Sequence, residues 1–228
     1  MRDDASWEEW EQALASFYGK LNYGKHGAGR LMGAGHRILE QLIMPAMTSF
    51  PIVLEVGVGT GEHLNYVKHP FGKYVMLDRN QAMLDIARDR YAGDKRNLEY
   101  RVGEVSCLPF EDRSVDRVIA THVLEHVYKP HEVLREWERV LKPGGALSIL
   151  IPTDPGVAWR IGRAIGTRRT VLRMGLPYDY FMALEHVNPI NNLVALLDYY
   201  WPNARRAWWP FRVASIDLNF FYAFHAVK

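Results

Sequence analysis

A strand-and-turn pattern at residues 53–61 constrains this chain more than any other stretch. A short apolar, β-branched run ends in three glycines at alternate positions, and a segment with helical propensity follows at 62–67. This order predicts a buried strand, a tight turn and the start of a helix. Glycine is needed where the backbone turns sharply and lies against a ligand, because a Cβ atom would collide there. The first amides of the next helix would favour an electron-rich group, so a nucleotide-like ligand is the first hypothesis.

The glycine spacing distinguishes between two kinds of nucleotide site. The dinucleotide fingerprint is G-x-G-x-x-G, whereas this chain has G-x-G-x-G and places Glu62 where the last glycine would stand. An acid, Glu55, stands two residues before the first glycine, and the next apolar run ends in Asp78. An acid at the tip of a second strand can accept hydrogen bonds from both ribose hydroxyls. Glu62 and Glu55 therefore argue against a nicotinamide-dependent oxidoreductase, which is kept as a rival hypothesis.

Residues 50–152 resemble the class I S-adenosylmethionine-dependent methyltransferases, of the kind called methyltransferase type 11. The E-x-G-x-G-x-G turn and the acid after the second strand correspond to the first two motifs of that family. A proline-phenylalanine turn at 109–110 and a Lys-Pro-Gly-Gly turn at 142–145 are further family traits. The resemblance implies a methyltransferase with S-adenosyl-L-methionine as cofactor and S-adenosyl-L-homocysteine as product.

Strand and helix patterns alternate five times between residues 50 and 152. This alternation predicts an α/β fold with a parallel sheet and helices on both faces. The resemblance extends the expectation to a Rossmann-like sheet of seven mostly parallel strands. Outside the core, the patterns predict helices at 6–18, 31–47 and 190–200 and a closing antiparallel pair at 206–211 and 216–227.

A length of 228 residues suits one domain with decorations. The family's usual layout suggests that its N-terminal segment folds over the cofactor, and the insertion after the fifth strand would lie above the strand ends. The expected parts of this single methyltransferase domain are an N-terminal helical lid (1–50), a cofactor-binding core (51–152), a substrate cap (153–205, chiefly 153–189) and closing strands (206–228).

The resemblance also implies roles for individual residues at the cofactor. Glu55 would lie near the methionine ammonium group, Asp78 would accept from the ribose hydroxyls, and Glu104 with Val105 would meet the adenine. Tyr18 in the lid is a candidate cofactor contact, although packing as a surface aromatic is an equal alternative. The full set of expected cofactor-binding residues is Tyr18, Glu55, Gly57, Gly59, Gly61, Asp78, Arg79, Met83, Glu104, Val105, Thr121 and His122.

The cap carries the candidate substrate contacts. Five arginines stand between residues 160 and 173 with no acid among them. They could form a solvated face, hold an anionic substrate through bidentate guanidinium groups, or dock on an anionic membrane surface. His186 is the candidate general base, with a helix-capping or core histidine as the alternative. The expected substrate-binding residues are Tyr23, Arg160, Tyr178 and Tyr180.

Two further side-chain patterns bear on the chemistry. His122 and His126 are four residues apart, but the metal-helix signature places Glu directly after the first histidine. Here Glu125 precedes the second histidine instead, so no metal is expected. The single cysteine, Cys107, cannot form an internal disulfide, which suits a reducing cytosol, and we expect it to be a small buried side chain.

Charge and hydropathy patterns limit the partners. The net charge of +2 gives no support for nucleic-acid binding. The chain shows neither a signal-peptide pattern nor an apolar run of membrane-spanning length, so a cytoplasmic protein is expected. Oligomeric state is left open.

The expected acceptor atom is an O or N atom of a small metabolite, which could be anionic. A phospholipid headgroup methylated at the membrane surface is one alternative. A cofactor-binding partner protein without activity is the other.

Overall fold

The computed structural model describes residues 6, 9–10, 27–43 and 49–228. Its centre is a sheet of seven strands. The strands are β1 (Phe50–Val56), β2 (Phe71–Asp78), β3 (Leu98–Val102), β4 (Val115–Thr121), β5 (Leu141–Pro152), β6 (Arg205–Trp209) and β7 (Phe221–Val227). The helices are α1 (Gly27–Gln41), α2 (Gln81–Arg90), α3 (Pro130–Val140), α4 (Val157–Ile165), α5 (Thr167–Arg173), α6 (Tyr178–Glu185) and α7 (Ile190–Tyr200), with 3-10 turns at Glu62–Asn65 and Leu124–His126.

The strand order is β3-β2-β1-β4-β5-β7-β6. Strands β1 to β5 pair in parallel, whereas β7 is antiparallel to both β5 and β6. The expected α/β fold with a seven-stranded, mostly parallel sheet is therefore confirmed. Strand order reverses between β1 and β4, and Val56 pairs with Ala120 there. Open sheets of this kind bind ligands in the crevice beyond the carboxyl ends of the strands at this reversal.

The central strands are apolar on both sides because helices cover both faces of the sheet. Along β1, Leu54 and Val56 belong to the cluster that packs against α3 and α7. Val53 belongs to the opposite cluster, which packs against α1 and α2. The alternation of side chains along one strand thus supplies two separate cores, one on each face.

Helix α1 is fixed to the sheet by a buried polar cluster as well as by apolar packing. Arg117, in the middle of β4, donates from Nη2 to Glu40 Oε1 of α1 at 2.6 Å and from Nε to Ser148 Oγ of β5 at 3.1 Å. The Oγ atom of Ser148 lies 3.0 Å from Nδ1 of His225 in β7. Four elements are therefore joined through one fully buried guanidinium group. We call these residues, with His36, His63 and His69, the anchor cluster.

The remaining histidines complete the anchor cluster. His63 Nε2 lies 2.9 Å from Glu40 Oε1, and His63 Nδ1 lies 2.9 Å from His36 Nδ1. Burial alone would raise the pKa of Glu40, but Arg117 and His63 outweigh it and hold that pKa far below its usual range. Burial also lowers the pKa of His36, and lowers that of His225 to about 4. The cluster thus combines an ionised Glu40 beside Arg117 with His36 and His225, whose pKa values burial holds below the usual range.

Several boundaries differ from the sequence predictions. The second predicted helix is α1, which begins at Gly27 and ends at Gln41, and residues 44–48 lie outside the described part. The predicted helix at 62–67 is only a 3-10 turn, which ends where the Tyr66 amide donates to the His63 carbonyl. The predicted helix at 6–18 falls almost entirely outside the described residues. Helix α7 matches its prediction at both ends.

The closing strands are shorter than predicted because Asn219 organises a loop between them. Its side-chain oxygen accepts from the Phe211 amide at 2.9 Å. Its side-chain nitrogen donates to the carbonyls of Val213 and Ser215 at 2.9 and 2.8 Å. The buried amide of Asn219 therefore replaces ladder pairing over residues 210–219, and regular pairing resumes only in β7.

The cap consists of α4, α5 and α6, which form an insertion between β5 and α7. It has its own small apolar cluster, in which Val171, Tyr178 and Phe181 pack with Trp10. Trp10 stacks on Phe181 with ring centroids 4.5 Å apart and donates from Nε1 to Glu185 Oε1 at 2.9 Å. The division of the chain into lid, core, cap and closing strands stays a prediction.

Two simpler findings complete the fold. Among the described residues, every helix is too short or too polar to cross a membrane.

The expectation that Cys107 is buried was wrong. Its thiol is exposed, because the residue lies in the turn after β3 that is closed by the Cys107 amide donating to the Glu104 carbonyl.

Candidate active site

A cavity of about 470 Å³ lies between the carboxyl edge of the sheet and the cap. Each parallel strand contributes a lining residue at or just after its end. These residues are Gly57 after β1, Asp78 at the end of β2, Glu104 after β3, His122 after β4 and Pro152 at the end of β5. The cavity thus occupies the crevice that this topology provides for a ligand.

The glycine turn after β1 has the backbone shape that only glycine adopts without strain. Gly57 and Gly59 have φ of +62° and +53°, which a side chain disfavours. A Cβ atom on Gly57 would lie 2.6 Å from Cγ2 of Val123, so the space behind this residue is filled by protein. A Cβ atom on Gly59 would meet nothing within 4 Å. The backbone at Gly59 therefore borders open space.

The carboxylate of Asp78 ties this turn to the end of β2. The Gly59 amide donates to Oδ2 at 2.8 Å, and the Asn80 amide donates to Oδ1 at 2.9 Å. Burial raises the pKa of Asp78, although these amide hydrogen bonds oppose the shift. The carboxylate is thus held rigidly at the cavity wall with acceptor capacity remaining on each oxygen.

The structure brings about half of the expected cofactor residues together. Those that line the cavity are Gly57, Asp78, Arg79, Glu104, Val105 and His122. Those described but not among the lining residues are Glu55, Gly59, Gly61, Met83 and Thr121. Tyr18 and, among the substrate candidates, Tyr23 lie outside the described residues.

Glu55 departs most clearly from its implied role. Its side chain is only 1% exposed, and Oε2 accepts a hydrogen bond from the Tyr74 hydroxyl at 2.6 Å. Burial raises the pKa of this carboxyl group. Glu55 therefore links β1 to β2 through Tyr74, and its implied place near the ligand ammonium group stays a prediction.

At the other end of the cavity, His186 follows α6 and forms a chain with Asp154 and Arg163. Nδ1 of His186 lies 2.8 Å from Oδ2 of Asp154, and Arg163 donates to the same oxygen at 2.7 Å. Burial would raise the pKa of Asp154, but His186 and Arg163 outweigh it and lower the pKa. Asp154 is therefore ionised and lies within ion-pair distance of His186, although the angle at Nδ1 is too poor for a hydrogen bond.

A second acid-histidine group forms the floor between the two ends. Glu125 lies 3.6 Å from His122 and 3.9 Å from His126, measured from its Oε1 to the ring nitrogens. The two histidines outweigh the effect of burial and lower the pKa of Glu125. Within the described part of the chain, His122 Nε2 and Glu125 Oε2 are buried without a hydrogen-bond partner. A buried polar atom without a partner is costly, so this floor is suited to a polar ligand.

The residues expected to contact the methyl acceptor differ in whether they line the cavity. Tyr178 and His186 line the cavity. Arg160 does not, because α4 faces the cavity through Trp159, Gly162 and Arg163, and Arg160 lies on its exposed side. Tyr180 is also absent from the lining, and its ring packs edge-to-face on Phe181 at 5.4 Å.

Sequence reasoning missed Asp154, Glu125 and the specific choice of Arg163 among the five arginines. A signal for Arg163 was present, since Trp159, Gly162, Arg163 and Gly166 recur at helical spacing and mark one face of α4. No comparable signal marked Asp154, because its contact with His186 joins positions that are far apart in the chain.

Comparison with known proteins identifies the family of this fold. The family model of the methyltransferase domain matches residues 54–149. Residues 54–149 thus match a methyltransferase domain, the kind of domain that the sequence motifs resemble. This match agrees with the S-adenosylmethionine cofactor that the resemblance implied.

Curated relatives of this methyltransferase share its core. It is 33% identical over 132 residues to a ubiquinone/menaquinone biosynthesis C-methyltransferase of Pseudomonas fluorescens, covering 55% of this chain and 52% of the relative. The protein with the same description from Hahella chejuensis is 36% identical over 114 residues, covering 46% of each chain. This chain spans about half the length of the curated relatives it matches.

Solved structures extend the likeness of fold over nearly the whole chain. A S-adenosylmethionine-dependent methyltransferase of Thermotoga maritima aligns with a TM-score of 0.63 at 17% identity, covering 98% of this chain and 100% of the other. One from Aquifex aeolicus aligns with a TM-score of 0.55 at 17% identity, covering 98% and 99%. The cap and closing strands therefore belong to a known arrangement of this fold.

Proposed function

We propose that this methyltransferase moves a methyl group from S-adenosylmethionine to a small aromatic acceptor under the cap, with His186 as general base. The observation that carries the proposal is the Asp154–His186 pair. His186 lines the cavity, and its Nδ1 atom lies 2.8 Å from Oδ2 of Asp154. A carboxylate this close to an imidazole stabilises the imidazolium that forms when the ring takes up a proton.

The residues at the sheet edge fit the cofactor. Open space at the Gly59 backbone leaves room for a ligand, and Asp78 keeps acceptor capacity for ribose hydroxyls. We infer that Gly57, Asp78 and Arg79 hold the ribose and methionine parts, and that Glu104 and Val105 meet the adenine. The cofactor supplies an electrophilic sulfonium methyl group, which carries the difficult part of the chemistry.

The protein's own contribution is to align the acceptor and accept its proton. As the acceptor's O–H or N–H proton moves to Nε2 of His186, the resulting imidazolium is stabilised by the Asp154 carboxylate. Arg163 holds that carboxylate in place from its other side. Alignment of the acceptor atom with the methyl group supplies much of the remaining acceleration.

The walls of the acceptor end favour a planar molecule. Trp159, Tyr178 and Phe220 line the cavity together with the imidazoles of His126 and His186. Aromatic rings pack well against other rings, and the polar groups would orient a hydroxyl or amine. An anionic substituent on the acceptor would also be accommodated near Arg163.

A second candidate is methylation at carbon, which the names of the curated relatives favour. Removing a proton from a ring hydroxyl makes the neighbouring ring carbon nucleophilic, so the same base serves both outcomes. The position of the methyl group in the product separates the two candidates.

The test uses S-adenosylmethionine with a radiolabelled methyl group, incubated with the protein and a cell extract, followed by partition between water and organic solvent. We expect a labelled product that depends on Asp78 and His186, so Asp78→Ala and His186→Ala should each abolish it. His131→Ala, at an exposed histidine outside the cavity, is the matched control and should retain activity. Mass spectrometry of the product then reads the methylated atom.

Two outcomes would contradict the proposal in different ways. Label in phospholipid would assign the acceptor to the headgroup alternative. No label would remove the enzyme proposal: with a heat of binding for S-adenosylhomocysteine it would favour a cofactor-binding partner protein without activity, and without that heat it would also remove the proposed cofactor.

A further inference from the structure

The outer face of α4 is apolar and exposed although the helix is short. Val157, Ile161 and Ile165 recur at four-residue spacing, and Ile161 and Ile165 are 53% and 73% exposed. Leu172 of α5 and Met174 just after it extend this exposed apolar surface. Solvated helices ordinarily place polar residues at such positions, so this face is suited to contact with something other than water.

The same surface is strongly positive. Residues 157–175 contain five arginines and no acid. Arg163 is paired with Asp154, and Arg168 is paired with Asp179. In the described ranges, no carboxylate forms an ion pair with Arg160, Arg169 or Arg173. We call this surface, made of residues 157, 160, 161, 164, 165, 169, 172, 173 and 174, the outer cap face.

The outer cap face adjoins the mouth of the cavity. Gly166, which connects α4 to α5, and Thr167, the first residue of α5, line the cavity and directly follow Ile165. Leu184 and Tyr128 also line it and are exposed at its rim. A partner that binds the outer cap face would therefore lie beside the mouth of the cavity, through which the methyl acceptor enters.

We propose that the outer cap face docks on an anionic lipid bilayer and so places the cavity mouth at the membrane surface. Exposed aliphatic side chains enter the boundary between headgroups and acyl chains, while interleaved arginines bind lipid phosphates. Charge complementarity selects this occupant, because a face with three arginines that form no ion pair with a described carboxylate matches the negative surface of such a membrane. A binding site for lipid headgroups is thus separate from the site for the methyl acceptor.

Sedimentation of the full chain with lipid vesicles tests the proposal without reference to methyl transfer. We expect binding to vesicles of equal parts phosphatidylcholine and phosphatidylglycerol, release by added salt, and far weaker binding to phosphatidylcholine alone. Because each basic residue at an anionic surface contributes about fivefold in partition, the double variant Arg169→Gln/Arg173→Gln should bind about 25-fold more weakly.

The matched control is Lys95→Gln/Arg135→Gln, which removes the same charge from two exposed positions outside the cap. It should bind like the wild type. A second double variant, Ile161→Asn/Ile165→Asn, keeps the charge and should also lose vesicle binding. Since all four cap positions are exposed, thermal melting should show that these variants stay folded.

Three outcomes would overturn the proposal. The first is equal binding of the arginine variant and its control. The second is equal binding to neutral and anionic vesicles. The third is self-association in gel filtration that Ile161→Asn/Ile165→Asn abolishes in the absence of vesicle binding, because this would assign the face to a second copy of the chain.

Discussion

The molecule contains two acid-histidine-arginine groups that are alike in composition and opposite in surroundings. The anchor cluster lies between α1 and the sheet, and its Arg117 guanidinium donates to Glu40 and Ser148 in full burial. The group in the cavity holds Asp154, Arg163 and His186, and His186 is 14% exposed. One group is enclosed in the interior, where His225 Nε2 has no hydrogen-bond partner among the described residues, whereas the other faces space that a ligand can enter.

The difference teaches that residue types alone do not mark a reactive site. In the anchor cluster, hydrogen bonds within the protein link the side chains of four elements, so their charge serves to fix α1 on the sheet. In the cavity, Glu125 Oε2 and His122 Nε2 have no partner among the described residues. Unused hydrogen-bonding capacity beside open space, rather than the presence of histidine, distinguishes the candidate active site.

The largest expected effect is on the rate of methyl transfer. His186→Ala should lower kcat by about 10²–10⁴-fold, because general base catalysis contributes that range. Binding of S-adenosylhomocysteine, measured by calorimetry, should stay near wild type. Asp154→Asn should lower kcat less and change the pH dependence of kcat. If His186→Ala lowers kcat by less than tenfold, the group in the cavity has no catalytic role that would set it apart from the anchor cluster.

The next effect is on stability and concerns the anchor cluster. Arg117→Met should lower the free energy of unfolding by about 3–5 kcal/mol, because it leaves the buried Glu40 carboxylate without its charged partner. Urea denaturation measures this change. Arg168→Met is the control, since its pair with Asp179 is exposed and should matter little. Equal stability of the two variants would contradict a structural role for the anchor cluster.

A pH dependence should also arise in the anchor cluster. Burial lowers the pKa of His225 from 6.5 to about 4, so the unfolded chain binds a proton at a higher pH than the folded protein. The free energy of unfolding should therefore fall as the pH is lowered from about 6.5 to about 4, by about 3 kcal/mol from this residue. His225→Gln should reduce that slope in urea titrations. If the free energy of unfolding changes with pH equally in His225→Gln and in the wild type, His225 is not the source of this pH dependence.

The smallest effect separates backbone strain from ligand contact. Gly59 and Gly144 both have positive φ, and a Cβ atom on either would meet nothing within 4 Å. Gly59→Ala and Gly144→Ala should each cost about 1–2 kcal/mol of stability from the left-handed backbone alone. Only Gly59→Ala should also weaken binding of S-adenosylhomocysteine. Equal binding by both variants would place the cofactor away from Gly59.

Local patterns predicted the fold well because each strand and helix of the core carries its own periodicity. The apolar run before the glycine turn at 57–61, the run that ends in Asp78 and the helix at 190–200 are readable over a few residues. The predicted ends of strands were wrong where a side chain that is distant in the sequence determines them. Asn219 shortened the closing strands through contacts that no local pattern announces.

The site was predictable only where it follows the strand ends. Gly57 and Asp78 were found because sheet topology places every strand end at one edge. Arg160 was preferred over Arg163 because the run of arginines did not reveal which side of α4 faces inward. The burial of Arg117 was not predicted, since the groups that enclose it come from α1, β5 and β7, which are distant in the sequence.

Helix α1 supplies a wall of the cavity through Leu31 and Met32 and enters the anchor cluster through His36 and Glu40. Moving this wall aside would separate the buried carboxylate of Glu40 from Arg117, which costs several kcal/mol. The cap instead rests on a small cluster of its own around Val171 and Phe181. We therefore expect the residence time of spent cofactor to be set by excursions of the cap, with α1 acting as a fixed wall throughout turnover.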